Sequence, residues 1–271
     1  MDSNLIERSV EDIFHAVFDS SPSELLVVNP SDRALEMLIE LSSEVESPPT
    51  IRLLVEERTL KAVLSDFLIA SNAADLVTDD VLTIRTVDSG PENSLVITPN
   101  KVIALVTIGD TVAGLDTDDP GFVDVAYGAY ESEWEAGEPY TLRTPPLSRI
   151  RTTLADELGS NVADDFDTIL ETLPTTGANG DEIDEVTLCL LVAAKNEVLL
   201  YDISKWGEDV GIASKATFSR TKTRLEDMGV IDTEKVPIDV GRPRLRLKLD
   251  EDGLAQASID ELANMAAAKI E

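Results

Sequence analysis

The chain has 271 residues, enough for two domains of ordinary size that each bury their own core. Apolar residues make up 43% of the chain and aromatic residues 4%, a composition that excludes a disordered protein. Its 53 acidic and 22 basic residues give a net charge of −31, which on average repels nucleic acid at ordinary ionic strength.

The first part of the chain alternates between segments typical of strands and of helices. Apolar spacing predicts helices over Asn4–Phe18, Ser31–Glu44 and Arg58–Leu76, with strands at Leu25–Val28 and Thr50–Val55 between them. Because strand and helix alternate, we expect βαβ units in this part of the chain.

A second group of strands follows without helices between them. Four short segments separated by turns are typical of strands, namely Val81–Val87, Ser94–Thr98, Lys101–Thr107 and Thr111–Leu115. This pattern predicts that the second half of the sheet is a meander. A helix at Phe122–Trp134 is expected to cover the sheet, and two acidic helices are predicted at Leu147–Leu158 and Val162–Leu173.

The segment 174–182 is the clearest linker in the sequence. It combines Pro174, Gly177 and Gly180 with polar residues and has no apolar anchor. We therefore predict an α/β sensor or effector domain with trailing helices over 1–173, a linker at 174–182, and a second domain over 183–271.

The second domain is predicted to open with three helices, at Ile183–Val198, Asp202–Asp209 and Lys215–Met228. Gly211 can take the left-handed conformation that ends a helix at a tight turn. Ser214 is well placed to cap the third helix, and Gly229 to end it.

A two-stranded wing is predicted after the third helix. Its first strand is expected at Val236–Val240 and its turn at Gly241–Pro243, and the second strand, Arg244–Leu249, alternates between leucine and a basic residue. The leucines should face the core and the basic residues the other side. Helix, helix, turn, helix and wing is the plan of a winged helix-turn-helix.

Charge is distributed unevenly between this region and the rest of the chain. Residues 205–248 contain ten Lys or Arg and seven Asp or Glu, whereas the remaining residues contain 12 basic and 46 acidic groups. Outside this basic island the acids are spread along the whole chain, which favours adaptation to a cytoplasm rich in potassium salt over an acidic partner-binding surface. We interpret the island as a DNA-binding surface.

The third helix is the predicted recognition helix. Phe218, Thr221 and Leu225 share its inner stripe, so Arg220 points outward, where it is predicted to read the O6/N7 edge of guanine. Cations on the flanks of the helix and at the wing would contact the phosphate groups of the DNA backbone. The predicted DNA-binding residues are Ser214, Lys215, Thr217, Ser219, Arg220, Lys222, Thr223, Arg224, Arg242 and Arg244.

The stretch Ile212–Ile231 resembles the recognition helix and exit of many prokaryotic winged-helix regulators. Lys222 departs from that pattern, which usually has an apolar residue there, so either Lys222 snorkels or Thr221 takes the core position. The chain as a whole resembles the haloarchaeal TbsP-type regulators, named for suppression of the sugar-metabolism regulator TrmB. The resemblance covers nearly the full length and includes the segment Leu142–Arg149. This resemblance implies transcriptional regulation in a salt-loving archaeon.

The first domain is also similar to the phospholipase-D-like sensor domains of some archaeal regulators. The likeness rests on the strand Leu25–Val28 before a helix, the strand Ser94–Thr98 and the aromatic helix that ends at Trp134. Phospholipase-D enzymes use a histidine-lysine-aspartate motif twice, and this chain has one histidine, so the resemblance implies a non-catalytic domain.

Other chemistry has little support in the sequence. It contains no GxxxxGK[ST], GxGxxG, GxSxG or HExxH motif, and we predict neither an enzyme nor a cofactor. His15 is expected to be a structural or surface residue. Cys189 is the single cysteine and is expected to be a small buried hydrophobe, with a redox-sensing thiol left open.

The expected location is the cytoplasm, since the first twenty residues lack the basic and apolar segments of a signal peptide and no apolar stretch could cross a bilayer. The expected partners are double-stranded promoter DNA, a second copy of the chain and a small-molecule effector, with no membrane. Two alternatives stay open, a non-enzymatic adaptor whose winged helix contacts protein and a degenerate α/β enzyme.

Overall fold

The structure is a computed structural model that describes residues 9–20, 22–88, 90, 92–108, 111–172, 183–237, 243–250 and 258–270. The chain divides into two compact units, Met1–Leu142 and Arg143–Glu271. The linker predicted at 174–182 lies outside the described residues.

The first unit is built on one mixed sheet of seven strands in the order β6-β5-β4-β1-β2-β3-β7. The strands are β1 Glu24–Val28, β2 Thr50–Glu56, β3 Leu82–Val87, β4 Leu95–Thr98, β5 Lys101–Ile108, β6 Thr111–Thr117 and β7 Glu138–Pro139. The first three strands are parallel, β4 runs antiparallel to β1, and β4, β5 and β6 form an antiparallel meander. The predicted α/β class, βαβ units and meander are therefore confirmed.

Five helices of the described residues accompany this sheet, α1 Val10–Asp19, α2 Asp32–Glu44, α3 Glu57–Val63, α4 Phe67–Thr78 and α5 Pro120–Ala136. The single long helix predicted over Arg58–Leu76 is wrong, because the chain breaks between α3 and α4. At the break the Ser65 hydroxyl donates to the carbonyl of Ala62, and the Asp66 carboxylate accepts the amide of Ile69 at 3.0 Å. Asp66 thereby caps the N-terminus of a new helix. A single continuous helix would need no N-terminal cap at this position.

The two faces of the sheet bury separate cores. On one face α1 to α4 pack over residues such as Leu25, Val27 and Leu53, and this is the larger core. On the other face α5 packs over Leu26, Leu54 and their neighbours. Because successive side chains of a strand point to opposite faces, the central strands are apolar at consecutive positions.

Arg52 of β2 fastens α5 to the sheet. Its guanidinium pairs with Glu24 of β1 at 3.2 Å and with Glu131 of α5 at 3.1 Å, and it donates to the hydroxyl of Tyr127. The Tyr127 hydroxyl in turn donates to Glu24 at 2.9 Å, and the guanidinium lies 5.5 Å from the ring centroid of Trp134. The carboxylates and the rings together stabilise a largely buried cation.

The second unit contains α6 Leu147–Leu158, α7 Ser160–Thr172, α8 Glu185–Lys195, α9 Leu200–Val210, α10 Lys215–Asp227, β8 Ile231–Val236, β9 Arg244–Leu249 and α11 Ile259–Ile270. The sequence assigned α6 and α7 to the first domain, but both pack on helices of the second unit. Trp206 of α9 donates its indole N–H to Thr153 of α6 at 2.9 Å, and Asn196 donates to Asp165 of α7 at 2.7 Å. The apolar stripes of both helices are buried there, which the linker composition could not reveal.

The last helix, α11, packs against α7 and α8 of its own unit, with Leu262 and Ala266 buried. Within the described residues, no helix combines the length and the apolar character needed to cross a membrane.

Candidate nucleic-acid interface

A tight turn joins α9 to α10. Gly211 ends α9 in the left-handed conformation, with φ 103° and ψ 18°. The Ser214 hydroxyl then accepts the backbone N–H of Thr217 at 3.2 Å and caps α10. Both local predictions are confirmed, because glycine tolerates the left-handed region and a serine oxygen satisfies an otherwise unpaired amide.

The inner face of α10 is held by Phe218 and Leu225, which are fully buried. Phe218 packs on α9 at Gly207, where the absence of a side chain lets the two helices approach closely. Lys222 is half-buried, and only 11% of its side chain is exposed, with the ammonium 2.7 Å from Glu226. Lys222 therefore lies along the helix surface and directs its charge to a neighbouring carboxylate.

The outer face of α10 carries most of the residues predicted to meet DNA. Ser214, Lys215, Ser219, Arg220, Thr223 and Arg224 are exposed, and Thr217 is half-buried. Among the described residues, the Arg220 guanidinium makes two long hydrogen bonds, of 3.4 Å, to the Ala216 carbonyl and the Thr217 hydroxyl. Within the described part of the chain, neither Arg220 nor Arg224 forms an ion pair with a carboxylate.

The other cations near this face are paired with acids. Lys215 lies 2.5 Å from Glu208 of α9. Hydrogen bonding to that carboxylate raises the pKa of Lys215 and lowers the pKa of Glu208, so both groups are charged at neutral pH. Arg224 donates instead to the hydroxyl of Thr187 in α8 at 3.3 Å.

The wing differs in part from its prediction. Its first strand is β8, Ile231–Val236, whereas the sequence placed it at Val236–Val240, of which 238–240 lie outside the described residues. Strand β8 pairs antiparallel with β9 from Ile231↔Leu249 to Val236↔Arg244. The shift arises because the wing continues directly from the end of α10, where Val230 and Ile231 are buried.

Strand β9 alternates as predicted, with Leu247 and Leu249 buried and the basic residues on the opposite face. Each cation of β9 has an acidic partner, Arg244 with Asp202 at 3.4 Å, Arg246 with Glu197 at 3.8 Å and Lys248 with Glu234 at 2.7 Å. Arg244 also lies 4.5 Å from the ring centroid of Tyr201. Arg242 lies outside the described residues.

Two cations on the same face of β9 are missing from the predicted DNA-binding residues. Arg246 and Lys248 follow Arg244 at every second position, so strand periodicity alone places them beside it. The acidic partners of these cations come from other elements, Glu197 before α9 and Glu234 on β8. Only the folded structure brings those carboxylates within ion-pair distance of Arg246 and Lys248. No group of three or more metal-ligating side chains occurs among the residues that the structure describes.

Comparisons with known proteins agree with the division of the chain into two units. Residues 2–145 match the family model "Transcriptional regulator TbsP-like, N-terminal", and residues 146–267 match "Transcriptional regulator TbsP-like, C-terminal HTH domain". The boundary between the two matches, at 145/146, lies three residues after the start of the second unit, which holds α6 and α7.

No curated protein matches the chain. Among solved structures, one with 13% sequence identity and a TM-score of 0.34 covers 49% of this chain and 52% of its own, so this chain spans about half of that protein. It is described as TrmBL2, an archaeal chromatin protein that shows a novel mode of DNA binding. The two family matches together cover nearly the whole sequence, and the chain belongs to the TbsP-like transcriptional regulators.

Proposed function

We propose that this chain is a sequence-specific DNA-binding regulator in which α10 enters the major groove and Arg220 reads guanine. The observation that carries the proposal is the state of Arg220, which is exposed on the outer face of α10 and forms no ion pair with a described carboxylate. A guanidinium that is not held by a carboxylate can turn two parallel donors to the O6 and N7 acceptors of guanine.

The remaining basic residues have a supporting role in this proposal. Arg224 and the cations of β9 would contact phosphate and set the register of the protein on the duplex. Lys215 and Arg244 must exchange a carboxylate for a phosphate, which reduces the net gain from each contact. Direct base readout by Arg220 then supplies a larger share of the affinity, as binding in concentrated salt requires.

The family matches and the composition support a proposal about the type of protein, its source and its location in the cell. Both family matches describe transcriptional regulators, which supports a non-enzymatic role. A net charge of −31 supports a halophilic archaeon as the source and its cytoplasm as the location. We further propose that the protein acts on metabolic genes and binds DNA as a homodimer, because two-fold DNA sites need two-fold proteins.

The first unit is proposed to sense a small molecule. Ligands of open α/β sheets bind outside the carboxyl ends of the strands, at the point where the order of the strands reverses. In this unit that point lies at the end of β1, between the parallel β2 and the antiparallel β4. Asn29 follows β1 there with φ 43°, and the Gly90 amide donates to Glu56 at 2.8 Å. A metabolite that raises the Tm and changes the DNA affinity would identify the effector, whereas a broad panel without either effect would contradict a sensor role.

The experiment for the central proposal is selection from a random duplex library in molar KCl. The wild type is compared with Arg220→Ala, Arg220→Lys and the control Arg58→Ala, which removes a highly exposed arginine from α3. We expect the wild type and Arg58→Ala to enrich the same motif. Arg220→Ala should lose discrimination at one guanine by ~1–3 kcal/mol, or roughly 5- to 150-fold.

Arg220→Lys separates two roles of the residue. Lysine keeps the charge but not the planar pair of donors, so we expect affinity to be largely kept and discrimination to fall. Failure of the wild type to enrich any motif would overturn the proposal and would favour a winged helix that contacts protein.

A further inference from the structure

Helix α9 places one carboxylate against each of two elements that are predicted to contact DNA. In its first turn, Asp202 lies 3.4 Å from Arg244, the first residue of β9. In its last turn, Glu208 lies 2.5 Å from Lys215, the first residue of α10. We call Asp202 and Glu208 the bridging carboxylates. Both cations belong to the predicted DNA-binding residues, so each contact that they make with DNA begins from an ion pair within the protein.

Glu208 accepts hydrogen bonds from two donors of Lys215. Its Oε2 atom accepts the ammonium group, and its Oε1 atom accepts the backbone N–H at 3.2 Å. Hydrogen bonding from the Lys215 side chain and backbone lowers the pKa of Glu208, so this carboxylate is ionised at neutral pH. Ammonium and backbone N–H groups are also donors that proteins offer to DNA phosphates. A carboxylate of the chain itself therefore occupies donors that a phosphate would use.

Both ion pairs are accessible from solvent. The four side chains of the two pairs are each 40–44% exposed, so a phosphate oxygen can reach either cation while the unit stays folded. Exposed ion pairs of this kind contribute little to stability. The pair of Lys222 with Glu226 differs, because only 11% of the Lys222 side chain is exposed. The bridging carboxylates are therefore free to exchange partners without loss of the fold.

The two pairs also differ from the ordinary pairs of an acidic helix. Lys205 and Asp209 follow one another by four residues on α9, a spacing that brings side chains together in any helix. The bridging carboxylates instead reach cations on other elements, which α9 meets by packing against α10 and β9. Arg220, the proposed base reader, forms no ion pair with a described carboxylate. Competition for a cation thus applies to two phosphate contacts and not to the base contact.

This arrangement has a consequence for the effect of salt on DNA binding. A cation that contacts a phosphate releases counterions from DNA, and each such contact adds about 0.9 to the slope with which log affinity falls against log salt. When Lys215 or Arg244 turns to a phosphate, its carboxylate loses its partner and attracts potassium ions from solution. Uptake of cations at the carboxylate offsets their release from DNA, so these two contacts add little to the slope.

We infer that the bridging carboxylates compete with DNA phosphates for Lys215 and Arg244, and thereby make DNA affinity less dependent on salt. The competition weakens binding to every duplex, because phosphates carry no sequence information. It leaves base reading by Arg220 as the contact that distinguishes one site from another. The inference rests on the proposed function, which places Lys215 and Arg244 at the DNA.

The test is the affinity of the full chain for a duplex of random sequence, measured by fluorescence anisotropy over a range of KCl concentrations. Glu208→Gln and Asp202→Asn each remove one charge and nearly preserve the side-chain shape. We expect both variants to bind more tightly than the wild type and to steepen the salt slope by up to about 0.9. The gain in affinity should then grow roughly eightfold for each tenfold fall in KCl.

The control is Asp227→Asn, which removes an exposed carboxylate from the last residue of α10. Asp227 forms no ion pair within the described part of the chain, so its removal should leave the wild-type slope. Wild-type slopes in both Glu208→Gln and Asp202→Asn overturn the proposal. Equal steepening in the control also overturns it, because the effect would then follow from any lost acid.

A double-mutant cycle separates competition for the cation from general repulsion of DNA. Glu208→Gln is measured with Lys215 present and in the Lys215→Ala background, with circular dichroism as the check on folding. We expect the gain to disappear without Lys215, because no cation is left to release. A gain of the same size without Lys215 contradicts competition. A random duplex requires no base reading, so this proposal can fail while Arg220 reads guanine, and it can hold if Arg220 does not.

Discussion

The ring of Phe218 in α10 lies against the backbone of Gly207 in α9, so closely that a Cβ atom at position 207 would overlap the ring atoms Cε2 and Cζ. Both residues are buried. This contact sets the spacing between the two helices of the helix-turn-helix. The position of the candidate recognition helix therefore depends on the absence of a side chain at Gly207.

Gly207→Ala is expected to destabilise the protein. The added methyl group must displace an aromatic ring from a packed core, which costs ~1–3 kcal/mol of unfolding free energy. The control is Gly128→Ala in α5, where a Cβ would meet nothing within 4 Å. That change should stabilise by ~0.5–1 kcal/mol, since alanine favours a helix over glycine. Denaturant unfolding of both variants checks the prediction, and equal effects would refute it.

Lys222 and Arg224 are expected to differ in their response to DNA, although both are basic residues of α10. Lys222→Met should leave the salt dependence of DNA affinity unchanged, because the ammonium is already paired with Glu226, and should cost about 1 kcal/mol of stability. Arg224→Ala should reduce the slope of log affinity against log salt by about 1, as expected for one lost phosphate contact. Affinity titrations over a range of KCl distinguish the two, and an equal loss of slope would assign Lys222 to phosphate.

Glu40→Gln is expected to stabilise the first unit at low salt. Glu36, Glu40 and Glu44 follow one another at four-residue spacing on α2, and each like-charged pair costs ~0.2–0.5 kcal/mol. Removing the central charge relieves two pairs, and concentrated KCl should screen most of the difference. The control is Glu133→Gln, since the residues three and four positions away on α5 are uncharged. Thermal unfolding at both salt concentrations measures the effect, and a gain that persists in molar salt would contradict it.

The same glutamates predict how stability changes with pH. Burial, followed by repulsion from Glu36 and Glu44, raises the pKa of Glu40 above its ordinary value of 4.5. The folded state then binds a proton more readily than the unfolded chain, so the contribution of Glu40 to stability increases as the pH falls from neutral through the raised pKa. Below the unfolded pKa this contribution is constant. Unfolding measured between pH 7 and pH 4 should show a smaller increase for Glu40→Gln than for the wild type, and parallel curves would exclude Glu40 as the source.

Cys189 is expected to be unreactive in the folded protein. The side chain is 2% exposed in α8, and burial raises the pKa of its thiol above the ordinary value. Little thiolate forms at neutral or mildly alkaline pH, and the reagent has no access. Labelling with a thiol reagent should therefore follow global unfolding and be fast only in denaturant. Fast labelling of the native protein would revive the redox-sensing role that the sequence left open.

Local chemistry was sufficient to predict much of this protein from its sequence. The Ser214 cap and the left-handed Gly211 were predictable because each depends on the conformation of one residue and its nearest amides. The inner positions Phe218 and Leu225 followed from helical periodicity, and the alternation of β9 from strand periodicity. The meander was predictable because short turns leave consecutive strands few alternatives.

The tertiary structure decided what depends on distant residues. The helices α6 and α7 belong with the winged helix because their apolar stripes meet α8, α9 and α11, and an amphipathic pattern does not identify the surface that will cover it. The pairing of Lys215 with Glu208 and of Lys248 with Glu234, and the absence of such a pair at Arg220, likewise depend on which elements pack together. Sequence alone determined which residues carry charge, and the fold determined which of those charges are left for DNA, because ion pairing depends on distances that only packing sets.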